Sequence, residues 1–492
     1  MPNRDLAPSA RPRGRHSRAG RFLARHVAAP RALGGALAVS AAALVLVAAR
    51  VPAVHWGRPY AEDGALFAPQ QLDTGGFKVL TVPYTGYLQL LPRVLVKLAL
   101  ATGIAHYPAA LAAWCCVATA AVAGIVYLAA RQFLSHGPAA VAFALITVLV
   151  PALNVEVIAN GANIHWLCLW LAPWLFLVRP RTWTQSAGVA VIAAVVILTE
   201  SQAILFLPLL LYRLRLRRRW PLYGAALAAA ALQAVTALTG ATRVTTNPGP
   251  VHWLRLVKSY LVDVGLGAWS RHVGPWHALT ERLGAAAGLV GIAPFLAAFV
   301  LIAWAAWRAR RRSPAAGRTA ATAQNAPGQH RAAIVPSPGR PSPGHPTPRL
   351  LPAAAALAGS AILFAAALIL NDRTGNYYRI SSYAAGHAAS RYAVVPAMFL
   401  LAVAVIAVDQ WTALTARRTA RTVGAAAAVI GLAVAAISFP GTDASRFDAG
   451  VPWTTSLAQA RAACTADPAA PTATIDVSPK KWRATYPCWP FR

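Results

Sequence analysis

The chain has few acidic residues and few charged residues of any kind. Among its 492 residues, Asp and Glu total 14 against 46 Lys and Arg, and charged residues make up only 12%. A soluble globular domain carries about 25% charged residues, so this composition argues against a soluble enzyme, a coiled coil or a disordered chain. The hydrophobic share is 57% and the formal net charge is +32. The distribution of the cations then decides between a membrane protein and a nucleic-acid-binding protein.

The chain also lacks the motifs of nucleotide-binding folds. It contains neither the phosphate-binding loop Gly-x-x-x-x-Gly-Lys-Ser/Thr nor a Gly-x-Gly-x-x-Gly turn after a strand. An ATP-driven mechanism or a nucleotide-sugar donor therefore has no support in the sequence. The cysteines show no zinc-ligand spacing either.

Apolar runs of membrane-spanning length recur along almost the whole chain. A bilayer core needs about 20 apolar residues per helix, and soluble helices seldom sustain such runs. The pattern predicts an all-α polytopic membrane protein with about eleven transmembrane helices. The predicted spans lie near residues 34–54, 107–130, 138–153, 164–178, 186–200, 201–212, 221–240, 284–307, 350–370, 392–408 and 422–439.

The cations fall between these spans as the positive-inside rule describes. With the N-terminus in the cytoplasm, more than half of the Lys and Arg residues lie on cytoplasmic segments, whose only acids are Asp5 and Asp409. Nucleic-acid binding is the alternative interpretation of the Arg runs, but they are scattered between spans and not gathered on one domain. The expected location is therefore a membrane, with the N-terminus in the cytoplasm and no nucleic-acid partner. An odd number of crossings then places the C-terminus outside.

This topology divides the chain into regions of different character. The transmembrane parts are separated by a Pro/Arg-rich linker, and a long first outer loop precedes most of the spans. The predicted regions are a disordered Arg-rich cytoplasmic N-terminus at 1–33, a transmembrane region at 34–307 with the outer loop at 55–106, a disordered cytoplasmic linker at 308–349, a transmembrane region at 350–439 and a small extracytoplasmic tail at 440–492.

The cysteines agree with an outer location for the tail. Cys464 and Cys488 are the two cysteines outside the apolar spans, and an oxidising compartment favours their pairing. The sequence predicts a disulfide between them, with two free surface thiols as the alternative.

The first outer loop carries the first candidate site residues. Glu62 and Asp63 are adjacent acids, which suit a general base or a divalent cation held together with a phosphate. An ordinary solvated acidic loop is the alternative. Helical spacing from Tyr87 onward places Arg93 and Lys97 four residues apart on one face of a predicted interfacial helix. These cations suit a lipid phosphate, or they extend to headgroups without a specific ligand.

Two further outer segments carry polar residues. Asn163 and His165 lie in the second outer loop, and Glu200 lies at the outer boundary of a later span. Ionisable groups at membrane depth usually face a cavity or a partner. For His165, a histidine satisfied by packing is the alternative.

A late outer loop contains arginines against the positive-inside trend. Arg373 and Arg391 lie there, and Arg391 is followed by Tyr392. Arginines in this position require an anionic partner, and a phosphate or diphosphate would supply one through bidentate hydrogen bonds.

Short phrases of these segments resemble the GT-C superfamily of integral membrane glycosyltransferases. The phrases are Glu62-Asp63, Gly86-Tyr87-Leu88 running to Pro92-Arg93, Asn163-Ile164-His165-Trp166, and Arg391-Tyr392 followed by Pro396. The tail, with Cys464, Lys481-Trp482 and Pro487-Cys488, is similar to the ends of several actinobacterial-type membrane proteins of this kind. The resemblance covers about residues 35–492.

The resemblance implies a transferase that moves a hexosyl or pentosyl group from a polyprenyl-phosphate carrier to a cell-envelope acceptor on the outer face. It implies that Asp63 or Glu62 activates the acceptor or holds a metal ion, so a divalent cation is the one cofactor left open. Its lipid-phosphate ligands are expected to be Arg93, Arg373 and Arg391. Its remaining substrate contacts are expected to be Tyr87, Asn163, His165, Glu200 and Tyr392.

Two other functions stay open from the sequence. A polytopic transporter or lipid flippase would use Glu200 and His165 as its proton or substrate site. A catalytically inactive protein that assembles with cell-envelope machinery would need none of these residues.

Overall fold

The computed structural model describes residues 18–154, 156–239, 250–324, 349–371, 391–415, 417–437, 439 and 450–492. Within these ranges the chain is predominantly helical and contains one two-stranded sheet. The α-helices are α1 (Arg18–Arg50), α2 (Ala68–Thr74), α3 (Leu90–Leu100), α4 (Tyr107–Ala130), α5 (Gly137–Leu149), α6 (His165–Leu177), α7 (Trp183–Thr199), α8 (Trp220–Thr239), α9 (Trp253–Ser259), α10 (Gly265–Gly267), α11 (Val273–Leu283), α12 (Ala286–Gln324), α13 (Leu350–Asn371), α14 (Arg391–Leu414), α15 (Arg417–Ile437) and α16 (Trp453–Ala466).

Seven helical segments are long and apolar enough to cross a membrane. They are Arg31–Arg50, Ile104–Ala130, Arg217–Thr239, Ala286–Arg308, Leu350–Leu370, Arg391–Leu414 and Arg418–Ala436. Four shorter apolar helices are Gly137–Leu149, His165–Leu177, Trp183–Thr199 and Ser201–Leu211. The seven long helices and the four short ones together coincide with the eleven predicted spans. By length and composition, only the seven long helices among the described residues qualify as membrane spans.

One of the short segments is not an α-helix. Ser201–Leu211 winds as a 3-10 helix and contains Pro208, which has no N–H to donate. Because a 3-10 helix rises about 2.0 Å per residue, these eleven residues extend further than an α-helix of equal length.

Helices also extend into segments for which the sequence predicts disorder. The helix α1 begins at Arg18, within the predicted 1–33 segment, and α12 continues to Gln324, within the predicted 308–349 linker. Both stretches are rich in Ala and Arg, which are strong helix formers, and each extends an apolar helix that is already nucleated.

Hydrogen bonds join the ends of successive helices at one end of the bundle. Gln233, near the end of α8, accepts from the Leu88 N–H at 2.9 Å and donates to the Ile197 carbonyl at 2.7 Å. The Thr199 hydroxyl accepts from the Leu91 N–H at 3.1 Å. These contacts hold the ends of α7 and α8 against the start of α3, so this end of the bundle carries the first loop.

A second set of contacts joins the opposite helix ends. Asp409 is fully buried near the end of α14 and forms an ion pair with Arg349 at 2.7 Å. Its carboxylate also accepts from the N–H groups of Ser135 and His136, each at 3.0 Å, in the turn after α4. Arg349 in turn donates to Gln410 at 2.6 Å. The buried charge is therefore paired and hydrogen-bonded, as its burial requires.

An aromatic cluster connects three helices in the interior. The rings of Phe143 on α5 and Trp174 on α6 lie 4.9 Å apart, and Trp170 lies 5.4 Å from Phe399 on α14. Trp170 also donates to the Thr147 hydroxyl at 2.9 Å. Such close aromatic packing fixes α6 relative to α14, and both helices begin at the same end of the bundle.

The tail folds as a small unit that the all-α expectation did not include. After α16, strands β1 (Thr472–Val477) and β2 (Trp482–Pro487) pair antiparallel. Alternate residues of β1, Ala473, Ile475 and Val477, are buried, which is the period-two pattern of a half-buried strand. A disulfide joins Cys464 on α16 to Cys488 after β2.

Candidate active site

Asp63 is a buried carboxylate held by the second outer loop. Its side chain accepts the N–H of Gly161 and the N–H of Ala162, each at 2.8 Å, and the residue is 1% exposed. Burial raises the pKa of Asp63 to about 8, and the negative charge of Glu62 adds to this, while the two N–H donors oppose it. The carboxylate therefore anchors the first loop to the second and does not face solvent.

The second loop is shaped to receive this carboxylate. Ala159 adopts a left-handed φ of 53°, and the N–H groups of Gly161 and Ala162 that follow it both point to the Asp63 side chain. A Cβ atom at Gly161 would lie 2.8 Å from the Asp63 Oδ1 atom, so only glycine allows this approach.

Glu62, its neighbour, is only partly buried and has a different partner. The Tyr84 hydroxyl donates to the Glu62 Oε1 atom at 3.0 Å. Tyr84 opens a tight turn closed by Tyr87, in which Thr85 and Gly86 both have positive φ, as in a type I′ turn. The turn therefore presents the tyrosine hydroxyl to Glu62.

Arg391 lies at the start of α14 and belongs to the same cluster. Its guanidinium approaches the Glu156 carboxylate at 3.9 Å, and its side chain is 33% exposed. Burial and the charge of Glu62 raise the pKa of Tyr84, whereas the charge of Arg391 lowers it. The charges of the Glu62 carboxylate and the Arg391 guanidinium therefore both act on Tyr84, so an acid and a cation lie near the same tyrosine.

A buried histidine–carboxylate pair lies beside this cluster. The His165 Nδ1 atom contacts the Glu200 carboxylate at very short range, and the other Glu200 oxygen accepts the Gln202 N–H at 2.8 Å. The His165 ring lies 4.9 Å from Trp166, which meets the Tyr392 ring edge-on at 5.6 Å. Imidazole and two aromatic rings thereby form a continuous wall that leads to Arg391.

Arg93 is buried beneath the first loop. It is 1% exposed, donates to the Gln70 side chain at 3.0 Å and lies over the Phe67 ring at 5.1 Å. Burial lowers the pKa of Arg93 to about 10. Its Nε and second terminal nitrogen find no hydrogen-bond partner among the residues that the structure describes.

The remaining predicted residues have structural contacts or fall outside the described ranges. The Asn163 amide donates to the Glu156 carbonyl at 2.7 Å, and the Tyr87 hydroxyl accepts from the Gln89 amide at 2.8 Å. Arg373 lies outside the described residues.

The structure thus brings Glu62, Asp63, Asn163 and Arg391 to one end of the bundle, with the pair His165 and Glu200 beside them. Arg93 contacts the same loop, because its guanidinium lies over the Phe67 ring.

Three residues of the site were not predicted from the sequence. They are Tyr84, Gly161 and the tail residue Tyr486, whose hydroxyl donates to the Gly64 carbonyl. No local signal identifies them, because each acts through a partner distant in sequence.

The acidic pair does not fit a divalent cation in this geometry. Both Asp63 oxygens already accept N–H groups, and Glu62 accepts the Tyr84 hydroxyl. Hard cations take about six or more oxygen ligands, several of them carboxylates or waters. Within the described ranges, no group of three His, Cys, Asp or Glu side chains lies close enough to hold a metal ion.

The apolar helices are those of a multi-pass membrane protein, and the polar cluster lies at one end of their bundle. Residues 92–326 match the model of glycosyltransferase family 87, which is a GT-C-type membrane glycosyltransferase family. The match covers just under half of the chain and confirms the predicted resemblance to GT-C enzymes.

The matched region includes Arg93, Asn163, His165 and Glu200, but it does not extend to Glu62, Asp63 or Arg391. Comparison with curated proteins and with solved structures gave no significant match.

Proposed function

We propose that the protein transfers a sugar from a polyprenyl-phosphate carrier to a cell-envelope acceptor at the outer face of the membrane. The observation that carries this proposal is the cluster of Glu62, Tyr84 and Arg391 at one end of the helix bundle. A partly buried carboxylate can take a proton, and a guanidinium nearby can bind a phosphate bidentately.

The reaction follows from these two groups. The acceptor hydroxyl oxygen forms a bond to the anomeric carbon of the sugar, and the bond from that carbon to the phosphate oxygen breaks. Glu62 takes the hydroxyl proton as the new bond forms. Arg391 stabilises the negative charge that develops on the departing polyprenyl phosphate. Tyr84 orients the Glu62 carboxylate by its hydrogen bond of 3.0 Å.

The two acids have separate tasks in this mechanism. Asp63 is buried and both of its oxygens accept backbone N–H groups, so it holds the loop that carries Glu62. Glu62 retains one oxygen that is not engaged by Tyr84, and its partial exposure lets an acceptor approach. We therefore assign base catalysis to Glu62 and anchoring to Asp63.

A lipid-linked donor suits the position of the cluster. Arg391 begins an apolar helix long enough to cross a membrane, so the cluster lies where such a helix meets the membrane surface. A donor whose tail is dissolved in the bilayer would bring its phosphate to this surface. Arg93 supplies a second buried cation close to the first loop, with nitrogens that have no partner within the described part of the chain. The wall formed by His165, Trp166 and Tyr392 would hold the sugar by ring stacking and polar contacts.

The outer location requires that the short apolar helices cross the membrane as well. Asp63 contacts Gly161 and His165 contacts Glu200, so each intervening pair of helices starts and ends on one side. At the opposite ends, the Gln132 side chain accepts the Arg179 N–H at 2.7 Å, and Arg219 donates to the Phe176 carbonyl. This alternation supports eleven crossings. With the Arg-rich segments placed inside, the N-terminus is cytoplasmic and the site lies at the outer face, in what we propose is a bacterial plasma membrane.

A transporter or flippase is supported less well by the same contacts. Such a protein needs an ionisable group midway along the pathway across the bilayer. Three of the buried carboxylates of the described residues lie in a loop or near helix ends: Asp63, Glu200 and Asp409. The fourth, Asp263, lies in the π-helical turn Tyr260–Val264 and accepts a hydrogen bond from the Ser259 hydroxyl at 2.8 Å.

The donor class can be tested directly with purified protein in lipid vesicles. Radiolabelled polyprenyl-phosphate sugars and nucleotide sugars are supplied in parallel, each with a membrane extract as the source of acceptor. We expect label to enter the acceptor from at least one polyprenyl-phosphate sugar and from none of the nucleotide sugars. Arg391→Gln should lower that transfer by about 100-fold or more, because the charge on the leaving phosphate is no longer compensated. Transfer from nucleotide sugars alone would overturn the proposal.

A further inference from the structure

We propose that the disulfide-closed tail at residues 450–492 is part of the active site, and that Tyr486 is a positioning residue for the loop that carries Glu62. The inference rests on the proposed function, because it assigns Glu62 as the base. The tail is distant in sequence from Glu62, yet the geometry of the base depends on it.

Two tyrosines clamp the backbone directly after Glu62. The Tyr107 hydroxyl, from the membrane helix α4, donates to the Asp63 carbonyl at 2.7 Å. The Tyr486 hydroxyl, from strand β2 of the tail, donates to the next carbonyl, that of Gly64. Consecutive carbonyls are thus held from the membrane helices on one side and from the tail on the other. Both tyrosines are fully buried, and burial raises the pKa of Tyr486, so its hydroxyl keeps the proton that it donates.

The tail also holds the backbone directly before Glu62. The Ala61 N–H donates to the Ser478 carbonyl at 2.8 Å, and Tyr60 pairs with Ser478 as a short parallel bridge. Ala61 has a φ of 49°, in the left-handed region that costs conformational energy for any residue with a Cβ atom. A strained conformation of this kind persists only where the surrounding structure determines it, and Ser478 supplies that constraint. Glu62 is therefore flanked on both sides by backbone that the tail holds.

The contacting face of the tail is rigid. The Tyr486 ring packs against Trp453 at 5.8 Å, and Trp453 donates to the Ile104 carbonyl at 2.7 Å. Two residues beyond Tyr486, Cys488 is bonded to Cys464 of α16. The disulfide ties the strand that carries Tyr486 to the helix that carries Trp453, so both contacts move as one unit.

The first test removes one hydroxyl. In Tyr486→Phe the ring packing is kept and only the hydrogen bond to Gly64 is lost. The matched control is Thr485→Val. Thr485 is the neighbouring residue of β2 and faces the opposite side, and its hydroxyl bonds to the Thr474 hydroxyl across the hairpin at 3.2 Å. We expect Tyr486→Phe to lower kcat about tenfold with KM for the donor unchanged, since misplacing a catalytic group affects the chemical step more than binding. We expect Thr485→Val to leave both constants at the wild-type values. Equal kinetics in the two variants would overturn the proposal.

The second test does not depend on transfer activity. Amide hydrogen exchange of residues 58–67 is compared in wild type, Tyr486→Phe, Thr485→Val and the double variant Cys464→Ser/Cys488→Ser. We expect faster exchange in this segment for Tyr486→Phe and for the double variant, and wild-type exchange for Thr485→Val. Unchanged exchange in both of the former would refute the tail as a positioning element. If no donor is ever transferred, the proposed function fails, and the exchange result still decides whether the tail orders this loop.

Discussion

Glu62 and Asp63 are adjacent in the chain, yet they occupy opposite environments. Asp63 is 1% exposed and points into the N–H groups of the second loop, whereas Glu62 remains partly exposed and meets Tyr84. The two acids separate where a π-helical turn begins at Asp63 and runs to Phe67, and the Asp63 carboxylate lies on its buried side. The sequence predicted that this acidic pair was chemically important, but it left open which acid would act. The residues that give the two acids different environments are distant in the chain: Tyr84 lies 22 residues from Glu62, and Gly161 lies 98 residues from Asp63.

The buried state of Asp63 predicts a pH dependence of stability. Its pKa is raised from 3.8 to about 8, so between these values the folded protein holds a proton that the unfolded chain releases. The free energy of unfolding should therefore fall as pH rises from about 4 to 8, by up to about 1.4 kcal/mol per pH unit from this group, and level off above. Asp63→Asn should remove this slope. Melting temperatures in detergent across that range check it, with Asp73→Asn, an exposed acid of the same loop, as the control. An equal slope in Asp63→Asn would show that the group does not titrate in this range.

At the scale of elements, a single arginine joins α1 to the end of α5. Arg50 ends α1, is 2% exposed, and donates to the carbonyls of Val148 and Leu153 at 2.7 and 3.3 Å. The last carbonyls of a helix have no partner within it, so a side-chain donor at this position satisfies groups that would otherwise be buried and unpaired.

Arg50→Met keeps the apolar stem and removes these donors. We expect a loss of about 2–4 kcal/mol in the free energy of unfolding, since several buried acceptors are left without a partner. The exposed Arg131 at the end of α4 provides the control, and Arg131→Met should change stability by less than about 0.5 kcal/mol. Thermal unfolding in detergent measures both. Similar stability of the two variants would mean that Arg50 does not cap α5.

The sequence predicted the positions of the membrane helices, but it did not predict the strands of the tail. A bilayer requires long apolar runs in every spanning helix, so composition alone located the helical segments now seen along the chain. The hairpin of β1 and β2 leaves a weaker pattern, because only three alternating positions of β1 are buried. The sequence also did not predict the type I′ turn at Thr85 and Gly86 or the strained φ of Ala61. Their partners are distant in the chain: Glu62 for the turn and the Ser478 carbonyl for Ala61.

At the scale of the whole molecule, contacts between distant segments constrain the topology. Ile104, at the end of the first loop, meets Trp453 of the tail, and Asp63 meets Gly161. Because the two residues of each contact lie on the same side of the membrane, the chain between them must cross the membrane an even number of times. The positive-inside distribution predicted this arrangement from the sequence, but it did not predict that the tail packs directly on the first loop.

Impermeant-thiol labelling of intact cells separates eleven crossings from seven. Ser201 lies beside Glu200 at the end of α7, and it faces outward only if the short helices cross. We expect Ser201→Cys to be labelled from outside, as Phe77→Cys in the first loop is. Thr184→Cys, at the start of α7, should be labelled only after permeabilisation. The native cysteines give little background, because three are buried and two are disulfide-bonded. Labelling of Ser201→Cys only after permeabilisation would contradict the eleven-span topology.

The assignment of Glu62 as the base of a sugar transfer at the outer face can be tested by removing its charge. The most direct measurement is the initial rate of transfer from a radiolabelled polyprenyl-phosphate sugar by Glu62→Gln, beside wild type and Asp73→Asn. Glutamine preserves the shape of the side chain and can still accept the Tyr84 hydroxyl, but it cannot take a proton at neutral pH. We expect a loss of about 100-fold to 10,000-fold in kcat for Glu62→Gln, with its melting temperature unchanged. We expect Asp73→Asn to transfer the sugar at the wild-type rate. Transfer by Glu62→Gln at the wild-type rate would contradict the assignment of Glu62 as the base.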